Sequence, residues 1–468
     1  MRVFFSLSAI LLLSCFKLTA QYTYFSGNYN PILQILANPA AGIGRKAQID
    51  VTGFGNSLNF SNSFLKVKRS ALAYPTLPDS WGNLTPNVDN NIYKNFVPTG
   101  KHQPFALQLS QRVLLPSAFY QINHRHAVAI IGSYRQYANL YGVSSQLANL
   151  FYNEFDLSVL QNTIYTPSSI SATKMSWLEY GLNYAYALLN TPKHRLYSGI
   201  TLKLNKGLQA GYFKATNTAF LLSTVDNSSY FDSEVSLALS EGGTKAMSLS
   251  PNFFPQLKHS SSLQTAADLG ISYEYRKATA SDSNAAENLY KLKLSAAITD
   301  IGNIRFRKQE NYYDLSIHVT QADLFRYMQL NSAKQVQDQI KLEYPANTGS
   351  PDFRMALPTA LNIDADYNYN SRCYLNVSLH APLVSKTTKL SVYDFTSICL
   401  TPRYEKRWYE IAVPFTFNSL YANTGSYILP GLALRGGPVC IGTYDLTALF
   451  RKNLAGVNAY LLLKYTIK

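Results

Sequence analysis

Apolar and polar residues alternate along most of the chain from about residue 105 onward, and a period of two is the spacing of half-buried strands. From Trp177 to Leu188 one face reads Leu178, Tyr180, Leu182, Tyr184, Tyr186 and Leu188, and the other Trp177, Glu179, Gly181, Asn183, Ala185 and Ala187. After the turn at 190–194, Leu196, Ile200, Leu202 and Leu204 oppose Tyr197, Gly199, Thr201, Lys203 and Asn205, which predicts an antiparallel hairpin. The pattern returns at 267–276, at 359–368, at 373–380, at 409–417 and at 457–467. It also returns at 290–299, where Tyr290, Leu292 and Leu294 share the apolar face and Lys291 and Lys293 the polar one.

Most of these runs last about 9 to 12 residues, the length of a tilted strand that crosses a bilayer. Tight connections (123–126, 190–194, 368–371, 405–407) alternate with long ones (66–103, 138–175, 206–262, 306–353), and Tyr and Trp gather near strand ends. Short turns on one side, long loops on the other and aromatic girdles are the marks of an outer-membrane barrel. A soluble sandwich also alternates, with its apolar faces packed on a second sheet instead of lipid. Strand length, loop rhythm and a chain that stops at Lys468 on a strand favour the all-β transmembrane antiparallel β-barrel, of about 14 strands within a range of 12–16.

Residues 1–20 have a basic start at Arg2, an apolar stretch from Val3 to Phe16 and a small residue at Ala20, which predicts a secretory signal peptide and a mature start at Gln21. A rival reading takes Leu12-Leu13-Ser14-Cys15 as a lipoprotein box. Residues 21–468 then form a single barrel domain, in which 21–46 is a plug-like segment; Asn28 to Arg45 is expected to make a short helix and turns entering the lumen. Short helices are also expected in two long external loops, at Ser145 to Asp156 and Ala322 to Lys341. A gate or docking element is their functional reading, and a helix packed on the barrel rim the plainer one.

Composition agrees with strands: the 468 residues include 35 Tyr and 24 Phe, and only 15% are charged. Disorder is excluded by the aromatic content, and helical membrane spans by the lack of a long apolar run past the signal. The net charge is +15. Lys and Arg are scattered or clustered at strand ends, as at Lys66-Val67-Lys68-Arg69 and Arg305-Phe306-Arg307-Lys308, which suits anionic lipid, including lipopolysaccharide, and argues against nucleic acid. Cys373, Cys399 and Cys440 are too few for a disulfide framework and read as packing residues. The length is too small for a barrel of about 22 strands with a folded plug domain.

No metal-binding histidine pair, nucleophile elbow or phosphate loop is present, so neither a cofactor nor an enzyme is expected. His124 and His126, around Arg125, read as a solvated turn. The candidate lumen-lining residues are the charges on the polar strand faces: Glu179, Lys203, Asp268, Glu274, Arg276, Lys291, Lys293, Asp364, Asp366 and Glu410. Two readings stay open for them: a salt-bridge network that fills the lumen, or a polar conduit whose selectivity they set.

Several motifs in order resemble an uncharacterised family of outer-membrane β-barrels from Bacteroidota: Asn38-Pro39-Ala40, the stretch from Ser176 to Leu182, Asp300-Ile301-Gly302, the stretch from Ala356 to Leu361, the stretch from Pro402 to Trp408, and Gly437-Pro438 through Leu446. The Asn-Pro-Ala start is also similar to FadL-like transporters of hydrophobic compounds and to PorV- and PorP-like barrels of type IX secretion. The resemblance implies an outer-membrane location and supplies no site residues. The expected function is passive transport of a hydrophobic or small solute. The alternative is an accessory barrel that docks a secretion or surface-protein complex.

Overall fold

The computed structural model describes residues 27–63, 65–68, 96–98, 105–144, 164–165, 169–221, 229–241, 261–276, 290–309, 312–320, 349–387, 389–421 and 428–467, with a few isolated loop positions. The signal-peptide region lies outside them, as do nearly all of the two expected loop helices.

Twenty-one strand segments join in one antiparallel sheet, and because several are two pieces of one crossing they make a closed barrel of 14 strands. In chain order these are β1 (Ile49–Asn62), β2 (Phe105–Leu114 and Ser117–Gln121), β3 (His126–Val143), β4 (Ile164–Tyr165 and Ile170–Asn190) and β5 (His194–Leu221). Next come β6 (Tyr230–Leu239 and Leu263–Tyr275), β7 (Leu292–Arg307 and Tyr313–Thr320), β8 (Asp352–Ala356 and Ala360–Asn368) and β9 (Cys373–Pro382). The circuit ends with β10 (Ser397–Glu405), β11 (Tyr409–Ala412 and Phe415–Asn418), β12 (Leu429–Pro430 and Leu432–Gly436), β13 (Val439–Thr443) and β14 (Gly456–Ile467). Closure is made by β14 against β1, in register from Ile49↔Ile467 to Ser61↔Gly456. This pairing joins the last strand to the first and closes the sheet on itself, the condition for strands to cross lipid.

The alternation read from sequence sets which face is which. Ile130, Leu182 and Leu202 are register partners across β3, β4 and β5 and all three are exposed. Val377, Leu400 and Phe415 repeat this across β9, β10 and β11. The result is an apolar band around the outside, which lipid can cover at no desolvation cost. Exposed Tyr275, Tyr367, Tyr369, Trp408 and Tyr465 mark the end with the tight turns. There His126 Nδ1 meets the Tyr184 hydroxyl at 2.8 Å and His194 Nδ1 meets that of Tyr273 at 2.7 Å.

Three strands outrun their sequence reading. The pattern assigned 138–175 and 206–262 to loops, yet β3 continues to Val143, the long run of β4 begins at Ile170, and β5 reaches Leu221, a strand of 28 residues. Here the ladder persists where alternation fades, because backbone pairing continues after the outward face stops being constrained to be apolar. Among the described residues no helix is long and apolar enough to cross a membrane.

Candidate functional site

The first described residues fill the turn end of the lumen. Helix α1 (Pro31–Ala37) opens with proline at its first turn, where the missing N–H costs nothing. It stops at Asn38, whose extended backbone (φ −152°, ψ 113°) is the conformation that a following proline imposes. Asn38 Oδ1 accepts from the Ala40 amide at 2.9 Å, while Nδ2 donates to the Ile271 and Ala296 carbonyls of β6 and β7 at 3.0 and 3.3 Å. Wall amides answer: Asn183 Nδ2 donates to the Pro39 carbonyl (3.2 Å) and Asn362 Nδ2 to that of Ala37 (3.1 Å). Asn28 donates through its backbone and side chain to Glu405 (3.1 and 2.7 Å), and Arg45 binds Glu274 of β6.

The charges predicted from the polar faces fall into three groups. In the first, Arg135 of β3 holds Asp300 of β7 by two bonds (2.7 and 2.9 Å) and Glu179 of β4 at 3.0 Å, while Lys203 of β5 reaches Asp268 and Asp300, each at 2.7 Å. The Arg135 guanidinium lies 4.8 Å over the Trp177 ring. The second group lies nearer the turns: Arg403 binds Asp366 (2.9 Å) and Glu405 (3.1 Å), Tyr290 donates to Asp366, Arg276 meets Glu274 at 3.1 Å, and Arg435 meets Glu410 at 3.3 Å. Each charge of these two groups has an opposite partner, which is what makes such a cluster tolerable in a dry interior. In the third, Lys293 and Asp364 face each other at 4.0 Å.

Lys291 does not join them. The residue precedes β7, so strand alternation does not govern it; its ammonium sits 4.5 Å over the Tyr367 ring and donates to the Tyr369 carbonyl at the rim. For the same reason Tyr290, placed on the apolar face by sequence, is buried inside. Arg135, Asp300, Arg403, Glu405 and Arg435 were absent from the sequence selection. Asp300, Arg403 and Glu405 lie in the ordered motifs, whereas Arg135 and Arg435 fall in stretches that the alternating runs do not cover.

A second inserted segment has no sequence signature. Loop 383–396, between β9 and β10, folds inward. Tyr393 exchanges bonds with Asn139 of β3: its carbonyl accepts from Nδ2 (2.9 Å) and its amide donates to Oδ1 (3.1 Å). Gln108 Nε2 donates to Asp394 Oδ1 (2.5 Å), the Tyr137 hydroxyl to Asp394 Oδ2 (3.2 Å), Thr173 to the Ser391 carbonyl (2.9 Å) and Lys214 to that of Thr387 (2.8 Å). Val392 packs with Trp177, Met175, Phe306, Phe353 and Met355 in an interior apolar cluster. The loop therefore spans the lumen from the β9–β10 wall to the β2–β5 wall.

Between α1 and this loop lies a chamber. Sheet register builds its wall as two successive rungs. One runs Asn362, His380, Ser397, Asn418 across β8 to β11, and the other Ser295, Asp364, Ser378, Cys399, Thr416 across β7 to β11. Asn59, Gln108 and Tyr444 complete the wall, Gln34, Ala37 and Asn38 line the α1 side, and Asp394 and Phe395 the loop side. The lining sets amides and hydroxyls among the apolar Ala37, Ala41, Ile363, Leu379 and Phe395; Lys293 faces Asp364, and His380 Nε2 stands 3.5 Å from Asp394. Among the described residues no cluster of His, Cys, Asp and Glu is arranged to hold a metal.

The chain belongs to a family of unknown function, DUF5723, whose model matches residues 39–441. No curated protein matches it. Among solved structures it is similar to a mutant of TodX described as a monoaromatic hydrocarbon channel (9% identity, 94% of this chain and 95% of that one, TM-score 0.39). It is also similar to a Pseudomonas aeruginosa FadL homologue (11%, 93% and 94%, TM-score 0.38) and to the Ralstonia pickettii toluene transporter TbuX (12%, 93% and 94%, TM-score 0.31).

Proposed function

We propose that this member of the family is an outer-membrane barrel through which a small solute moves passively, and that the chamber is the station it passes. One observation carries the reading: the chamber lies inside a barrel with an apolar outer band, between two segments, α1 and loop 383–396, that are tied to the wall largely by hydrogen bonds from side chains. Segments tied in this way can be displaced without opening the barrel ladder. Outer-membrane lipid, lipopolysaccharide included, would meet the outward band, and the exposed Arg305 and Arg307 near the loop end would meet its phosphates. Delivery by the signal peptide of residues 1–20 belongs to the same proposal.

The test is to refold residues 21–468 in lipid, establish a closed barrel by heat-modifiable gel mobility, and measure entry of toluene and of small sugars into proteoliposomes alongside single-channel conductance. Entry above that of protein-free vesicles is expected for at least one class. A closed barrel that admits neither class and carries no current overturns the reading.

A further inference from the structure

The chamber's chemistry narrows the solute, on the premise that the transport reading holds. We infer that the chamber takes a small, neutral, polyhydroxylated molecule, such as a simple sugar, in preference to a hydrocarbon or an ion.

Three features of the wall lead there. First, the rungs present the hydroxyls Ser378, Ser397 and Thr416, which can both donate and accept, with the amides Asn376 and Asn418 beside them, while Asn362 is committed to Ala37, Thr299 and His380. A hydroxyl-bearing solute is likewise donor and acceptor at each position, so it can replace the water these groups would hold; a hydrocarbon would remove that water and return nothing. Second, the charged groups at the wall are already engaged. Lys293 stands against Asp364, and the Asp394 carboxylate accepts from Gln108 and Tyr137, so an entering anion or cation finds little to offset the loss of its hydration. Third, two aromatic residues, Phe395 from the loop and Tyr444, stand in the lining together with the apolar Ala37, Ala41, Ile363 and Leu379. A pyranose ring has an apolar face of C–H groups that packs on an aromatic ring while its rim hydroxyls stay free for amides. Neither a hydrocarbon nor a simple ion uses both kinds of wall.

The same register that makes the wall makes the test. Ser378 and Thr416 are two positions apart along one rung, and Ser378→Ala with Thr416→Val deletes both hydroxyls while nearly preserving volume. Proteoliposome uptake is measured for glucose, maltose, toluene and glutamate, with current recorded as glucose is added. Glucose and maltose should enter faster than glutamate, added glucose should interrupt the current, and the double variant should slow sugar entry by about two- to tenfold per hydroxyl, the worth of one hydrogen bond. Unchanged heat-modifiable mobility of the variant shows that its barrel is closed. Should the variant fail that check, Ser397→Ala, which removes one hydroxyl of the other rung, takes its place with the single-hydroxyl effect.

Toluene entry without sugar entry overturns this inference and leaves passive transport standing. Sugar entry indifferent to a closed variant also overturns it, because the sugar then takes another path. Entry of no solute by a closed barrel removes the transport reading itself.

Discussion

Gly199 of β5 and Gly270 of β6 stand opposite each other in register, and the Asn38-Pro39-Ala40 turn lies against both. A Cβ on Gly199 would come within 2.4 Å of the Pro39 carbonyl carbon and 2.5 Å of the Ala40 amide nitrogen; one on Gly270 would come within 2.1 Å of Asn38 Oδ1. The inserted segment therefore rests on a notch that two missing side chains leave in the wall. Asn38 then fixes it there by bonding to the Ile271 and Ala296 carbonyls.

Filling that notch should unseat the segment. Gly199→Leu drives a side chain into main-chain atoms, which cannot rotate away, and overpacking of this kind costs about 1–3 kcal/mol. The expected outcome is a barrel that still closes, with a lower urea midpoint and larger single-channel current. Wild-type current from a folded Gly199→Leu barrel would mean that this contact does not restrict the lumen.

The inserted loop should be released by one side chain. Asn139→Ala removes both bonds to the Tyr393 backbone, together worth roughly 1–3 kcal/mol, so open events should become about tenfold more frequent. Counting those events in a planar bilayer decides the matter, and an unchanged frequency would show that the loop does not limit passage.

The inner charge cluster should behave as a unit. Arg135→Met leaves Asp300 and Glu179 with only Lys203 for their nearest opposite charge, and breaking a buried pair costs about 3–5 kcal/mol. Urea unfolding in lipid should show that loss, with much of it recovered when Asp300→Asn is added.

The outer band should respond by depth. Leu182 is 58% exposed in the middle of β4, so Leu182→Arg should cost about 2–4 kcal/mol of folding free energy in liposomes. Tyr369→Arg, at a turn, should cost about 0–1 kcal/mol. Equal costs at the two positions would contradict a membrane-embedded band.

Legibility in the sequence followed the physics of each feature. Glu179, Lys203 and Asp268 could be assigned to the inner face because alternation within a strand is a local property that fixes facing whatever the partner strand does. Lys291 and Tyr290 escaped that logic because β7 begins only at Leu292. Asp300 has the parity of the outward Leu294 and Ile298 and turns inward only at a bulge, with φ 60°, and its pairing with Arg135 across 165 positions of chain is not written in either neighbourhood.

The sequence by itself determined the β class, the strand rhythm, the side of the chain that meets lipid and the polar character of the interior, since all of these follow from which residue types alternate and how often. Only the tertiary structure decided that loop 383–396 turns inward, that α1 ends on a pair of glycines, and that Asn362, His380, Ser397 and Asn418 form one rung of a chamber. Those facts depend on register between strands and on closure of the sheet, and register is fixed by pairing with a partner that no local stretch of sequence contains.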